Sequence, residues 1–136
     1  MTVTTQPTSS APRSIVNWFE IPVTNLEKAR SLYEALLDTK LPVSDFGGIP
    51  HAVISNSDAS CTSGALVTDP ARPPQRGSGT VIYFNATDGV ARCLSRAVEA
   101  GAKVVQPRTE IGPHGAIALV EDFDGNVIGL HENPAV

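Results

Sequence analysis

At 136 residues the chain is sized for one domain that buries roughly two-thirds of the surface its unfolded form exposes. A net charge of −4, with nothing like the Lys/Arg stripe that phosphate backbones require, argues against nucleic acid as a partner. No apolar run approaches the ~18 residues needed to span a bilayer, so no membrane partner is expected.

Residues 1–13 are rich in Thr, Ser and Pro and read as a disordered tail. They lack the basic start and apolar core of a secretion signal, and Cys61 and Cys93 have no CxxC spacing. Reduced thiols in a cytoplasmic protein are the expectation. From Ile15 to Val23 (IVNWFEIPV) the chain is rich in strand formers, with Trp18, Glu20 and Pro22 on one face and Pro22 marking a strand end or edge. Asn25 suits a helix N-cap, and Leu26, Ala29, Tyr33, Leu36 and Leu37 recur at helical spacing. A helix from about Leu26 to about Leu37 therefore buries one stripe. Three short strands follow, Leu41–Phe46, Ile49–Ser55 and Cys61–Thr68, punctuated by Gly47-Gly48 and Asn56-Ser57-Asp58. The Pro- and Gly-rich run 69–79 can be neither helix nor strand and reads as a linker or mobile flap.

The order then restarts. Thr80–Asn85 is a strand, and Asp88 caps a helix with Val90, Leu94, Ala97 and Val98 on one face and Gly101 at its end. Lys103–Gln106, Gly115–Glu121 and Asn126–His131 are three further strands. The last two meet at Asp124-Gly125-Asn126, whose Gly and Asn tolerate the positive φ of a tight hairpin. An offset of about 64 residues lays Leu26 on Val90 and Trp18 on Ile82, the mark of an internal repeat. Gly48-Ile-Pro-His51 echoes Gly112-Pro-His114, and Ser63-Gly64-Ala-Leu66 echoes Ile128-Gly129-Leu-His131. The expected fold is α+β, with two βαβββ modules (residues 14–68 and 80–136) joined by the 69–79 linker into a single domain.

The stretch DFDGNVIGLHE (residues 122–132) resembles the C-terminal hairpin of the glyoxalase / bleomycin-resistance / extradiol-dioxygenase group, the vicinal oxygen chelate superfamily. WFEIPVTNLEKARSLYEALL resembles its opening strand and helix, and VEAGAKVVQP its second helix end and next strand. The resemblance implies that the modules build a curved, half-open mixed sheet around a cavity where the chemistry happens. It also implies metal ligands (His, Gln or Glu) on the inward faces of the first and last strands of each module. Those places here hold Trp18, Gly64, Ile82 (or Val81, if the register slips by one) and Gly129, none with an imidazole or carboxylate. A divalent ion needs several converging N or O donors, so no cofactor is expected. Glyoxalase-type isomerisation and extradiol ring cleavage, which the family runs through a metal, lose their ion here.

Two residues beyond Trp18 stands Glu20, and two beyond Gly129 stands His131, each on the face of the vacant place by strand alternation. They form the candidate catalytic pair, a carboxylate base with a histidine partner. Candidate ligand-binding residues are Trp18, Phe46, Tyr83 and Phe84 as an aromatic wall, Gly64 and Gly129 as room opposite it, and His51 and His114, each just after a proline. Arg72 and Arg76 on the linker can gate the pocket or catch an anion. Three readings stay open: a module that sequesters a small organic molecule in an apolar cavity, as bleomycin-resistance proteins do; a metal-independent lyase or isomerase using Glu20 with His131; or a metalloenzyme whose divalent ion is held by Glu20, His51, His114 and His131. A homodimer is expected, because a half-open sheet leaves edges that need covering.

Overall fold

A computed structural model describes residues 15–55, 61–77 and 79–135. Its first half comprises β1 (Trp18–Pro22), α1 (Leu26–Leu37), β2 (Val43–Phe46), β3 (Ile49–Ile54) and β4 (Ser63–Val67). The second comprises β5 (Tyr83–Asn85), α2 (Val90–Glu99), β6 (Lys103–Glu110), β7 (Ala116–Glu121) and β8 (Val127–Glu132), with a 3-10 turn at Gly112–His114. This is the α+β architecture of two βαβββ units that the periodicity predicts. The strands make two four-stranded mixed sheets, ordered β1-β4-β3-β2 and β5-β8-β7-β6, with the first strand of each parallel to its last. Among the described residues no strand pairing joins the two sheets. No helix there is long and apolar enough to cross a membrane.

The two halves meet through their helices. Helices α1 and α2 pack against one another over one face of the paired sheets, and the core between them draws on both halves: Ile21, Val23, Leu32 and Leu36 with Phe84, Val90, Ala97 and Leu130. Phe84 stands at the centre, edge-on to Phe19 (centroids 5.8 Å apart) and to Tyr33 (6.3 Å). Alternation along β1 therefore sends Phe19 and Ile21 toward the helices and leaves Trp18 and Glu20 on the open side. That division places the site.

Local chemistry sets the boundaries. The Asn25 side chain accepts from the Lys28 amide at 3.0 Å, as an N-cap should, and Asp38 ends α1 in the left-handed region at φ 53°. Asp88 does not cap α2. Gly89, at φ 101°, is the N-cap residue and puts Asp88 one place outside it, so Asp88 binds the Arg96 guanidinium at 2.6 Å. The open Val90 amide is taken by Glu132 from β8 at 2.8 Å. Val98 is exposed, and the buried stripe of α2 runs through Val90, Cys93 and Ala97, the i, i+3, i+7 spacing of a single helix face. The repeat is also one residue shorter in its first strand than the 64-residue offset. Core-facing Ile21 and Val23 correspond to Phe84 and Ala86, and a one-residue slip exchanges the two faces of a strand. Ile82 accordingly packs on the core and does not share the face of Trp18.

Candidate functional site

The register of three strands builds the open face of the first sheet. Glu20 lies beside Ala65, Pro22 beside Val67, and His51 across Val67 on the other side. Ala65 and Val67 are buried and make an apolar floor. Above it the Glu20 carboxylate accepts the Trp18 indole N–H at 3.1 Å, and its Oε2 stands 3.5 Å from His51 Nε2. Its other oxygen is 3.9 Å from the Arg72 guanidinium, which Asp69 holds at 3.0 Å. His51 is only 7 % exposed, with Nδ1 donating to the Ile49 carbonyl at 2.8 Å and Phe46 edge-on at 4.9 Å. Trp18 remains 41 % exposed.

The linker straps across this side of the molecule. Arg72 reaches toward the first sheet, while Arg76 pairs with Glu121 of β7 at 3.2 Å and donates to the Phe123 carbonyl at 3.4 Å. The Gly77 amide donates to the Gly125 carbonyl at 2.9 Å. Two hollows open beneath the strap. One of about 200 Å³ is bounded by Val67, Asp69 and Arg72, and one of about 270 Å³ extends to Gln75, Thr80 and Asn126. Both share Glu20, Pro22 and Pro73, so the carboxylate borders each of them.

Several residues singled out by sequence lie elsewhere. Glu20 and His131 do not meet: they belong to different sheets, and His131 Nε2 donates instead to the His114 carbonyl at 2.7 Å. His114 is exposed on the 3-10 turn and meets His131 through its backbone rather than its ring. Phe84 is core, enclosed by Phe19 and Tyr33, and cannot form part of a pocket wall. Gly64 and Gly129 are on opposite faces. A Cβ at Gly64 would strike the Phe19 ring on the helix side, whereas one at Gly129 would strike the Tyr83 ring on the open side. The pairings Phe19 with Gly64 and Tyr83 with Gly129 dictate that difference. Tyr83 itself is 47 % exposed, on the open face of the second sheet.

At the positions the resemblance assigns, Trp18 offers only an N–H donor, Val81, which the one-residue slip puts in place of core-packed Ile82, offers no donor atom, and the side-chain space of both glycines is filled by aromatic rings. These residues do not fit the family's ion. Among the described residues no three His, Cys, Asp or Glu side chains converge, so Glu20, His51, His114 and His131 are not assembled as one ligand set. Of those four, only Glu20 and His51 form a pair. Near the second sheet, the Arg108 guanidinium, followed by the Val90 amide, holds the Glu132 carboxyl below its usual range.

The Glu20–His51 contact and the Asp69 support of Arg72 escaped the sequence. Alternation assigns Glu20 a face, but bringing His51 beside it requires β1 to run parallel to β4 while β3 runs antiparallel to it. No local pattern carries that information.

Comparison with known proteins agrees with this architecture. Residues 15–130 match the Glyoxalase/Bleomycin resistance protein/Dioxygenase superfamily. Comparison with curated proteins gives no match. Among solved structures, a glyoxalase/bleomycin resistance protein from Albidiferax ferrireducens T118 is 20% identical with a TM-score of 0.71, over 89% of this chain and 100% of that one. A glyoxalase I mutant from Zea mays is 21% identical with a TM-score of 0.69 over 86% of this chain, which spans only 46% of that protein. TnmS3, an antibiotic binding protein from Streptomyces sp. CB03234, is 32% identical with a TM-score of 0.60, over 88% of this chain and 96% of that one. With the family match covering both βαβββ units, the chain belongs to the Glyoxalase/Bleomycin resistance protein/Dioxygenase superfamily.

Proposed function

We propose that this protein binds a small organic molecule on the open face of its first sheet, between Trp18 and the linker strap, without a metal ion. The observation that carries this reading is the half-exposed indole of Trp18, hydrogen-bonded to Glu20, which borders both hollows together with Pro22. An aromatic plane beside a carboxylate and an apolar floor suits a planar molecule with one polar edge. The antibiotic-binding role printed for TnmS3 supports the binding of a small organic molecule as such. Phe46 and Tyr83, both exposed, supply further aromatic surface on the open sides. Absence of metal-ligating atoms at Trp18, Gly64, Val81 and Gly129 supports binding without the family's ion. We further infer a homodimer: β1, β2, β5 and β6 are all sheet edges, and a second copy would cover some of them.

Trp18 is the sole tryptophan, so its emission reports directly on the site. Titration with a panel of planar aromatic antibiotics is expected to quench it saturably for at least one compound. Calorimetry with that compound on Trp18→Ala should show affinity about tenfold lower or worse, the loss of one aromatic contact. Elemental analysis of protein purified without chelator should find no stoichiometric metal. A compound that binds tightly while leaving Trp18 emission unchanged, or one bound metal per chain, would overturn the proposal.

A further inference from the structure

We infer that the linker strap, residues 69–77, is a gate that lifts to admit a ligand, with Arg76 as its latch and Pro73 as a movable partition. The inference rests on the binding site proposed above and adds how that site is entered. It begins with room. Pockets that take small organic molecules run from roughly 300 to 1,000 Å³. The two hollows beside Glu20 measure only about 200 and about 270 Å³. Glu20, Pro22 and Pro73 border both of them. Glu20 and Pro22 belong to β1 and cannot leave without breaking the sheet. Pro73 belongs to the strap and is exposed, so it is the shared wall that can withdraw. Lifting it joins the hollows into one trough along β1.

The fastenings of the strap differ along its length. At its start Asp69 builds a turn, its carboxylate accepting the Ala71 amide at 2.9 Å and pairing with Arg72 at 3.0 Å. That turn is internal to the strap. Arg72 comes no nearer to Glu20 than 3.9 Å, too far for a hydrogen bond. Pro73 and Pro74 have no N–H to donate, and among the described residues no hydrogen bond holds 73–75 to either sheet. A proline pair is stiff, so this stretch moves as a bar. The far end is tied to the second module. Arg76 pairs with Glu121 at 3.2 Å and donates to the Phe123 carbonyl at 3.4 Å, and the Gly77 amide donates to the Gly125 carbonyl at 2.9 Å. Arg76 also packs against Gly125, where a Cβ would strike it. Arg76 is exposed, and an ion pair in contact with water is weak. A stiff bar with a turn at one end and a weak tie at the other opens by swinging on the turn.

The latch acts on rates rather than on affinity. It is made in the empty closed form and remade when the strap closes over a guest. Weakening it therefore populates the open form from both sides, and entry and exit quicken together.

Two measurements test the gate. Trypsin cuts after Arg76 but not after Arg72, which Pro73 follows, so the Arg76–Gly77 cut, read by mass spectrometry, reports lifting of the latched end. Its rate should be unchanged by low urea, the sign of local rather than global opening. Glu121→Ala keeps the cleavage site and removes the ion pair, and should speed the cut at least about threefold with the same indifference to low urea. Stopped-flow quenching of Trp18 is the second measurement, with doxorubicin as the first planar antibiotic of the panel. Association and dissociation should each be at least about threefold faster in Glu121→Ala, with affinity within about twofold. A cut that requires global unfolding, or one no faster in the variant, would overturn the gate. Quenching at equal rates in the two proteins would also overturn it and leave the binding site standing. A faster cut with no compound of the panel quenching Trp18 would overturn the binding reading and leave a strap that moves.

Discussion

The Tyr33 hydroxyl, on the helix of the first module, donates to Asp122 Oδ2 at 2.7 Å, in the C-terminal hairpin of the second. Asp122 also accepts from the amides of Asp124 and Asn126, both at 2.9 Å, and from the Asn126 side chain at 2.8 Å. That same Asn126 amide reaches the Pro22 carbonyl at 2.9 Å, two residues from Glu20. A buried, fully satisfied carboxylate thus shapes the hairpin and ties it to the strand that carries the site. Tyr33→Phe removes one donor and leaves an acceptor short in the interior. The expected cost is about 1–3 kcal/mol, read from the urea midpoint with the slope unchanged.

Alkaline stability should follow the same residue. Burial first, then the Asp122 charge, pushes the Tyr33 hydroxyl well above its ordinary value of 10.0. The folded state holds this proton more tightly than the unfolded chain. Its contribution is therefore complete below about pH 10 and is lost as pH climbs from there toward the higher folded value. Wild-type stability should fall above pH 10, and Tyr33→Phe should fall less steeply over that interval. Equal slopes in the two proteins would show that Tyr33 is not the group responsible.

The two glycines of the parallel ladders should respond differently to a methyl group. At Gly129 the obstacle is the Tyr83 ring, which is half-exposed and can swing outward; at Gly64 it is both the Phe19 ring and its backbone oxygen. Gly129→Ala is expected to cost about 1–3 kcal/mol, with most of that recovered when Tyr83→Ala is added. Gly64→Ala should cost at least as much and recover less with Phe19→Ala, because the clash with backbone persists. A double-mutant cycle in each pair measures the difference.

Thiol labelling separates the two cysteines. Cys61 is exposed, whereas Cys93 is buried against α1, its S–H donating to the Leu36 carbonyl at 3.0 Å. Burial raises the Cys93 thiol to about 11, so little thiolate forms at pH 8. One equivalent of a disulfide reagent should react rapidly and the second only at the rate of unfolding. Rapid loss of both thiols would contradict the packing of α2 on α1.

Much of the fold is legible because local signals agree with one another. Asn25 caps α1, Gly125 turns the last hairpin at φ 82°, and the apolar periods of both helices meet in one core. Legibility stops where register decides. The repeat offset differs by one residue in the first strand, and that single step takes Ile82 off the face of Trp18 and packs it against the core. His51 and His114 share a Gly/Pro context, yet one is buried inside β3 and the other exposed on a 3-10 turn. Strand alternation alone pairs His131 with Glu20. The sheets place the two apart, and the histidine that does reach Glu20 comes from a strand pairing that no short-range pattern encodes.

The most direct test is a crystal structure of the protein soaked with whichever planar compound quenches Trp18. The account predicts electron density for that molecule lying against Trp18, with a polar group at Glu20 and the 69–77 strap over it. Density lodged instead in the groove between α2 and β6, or a metal ion held by protein atoms on the open face of the first sheet, would contradict it.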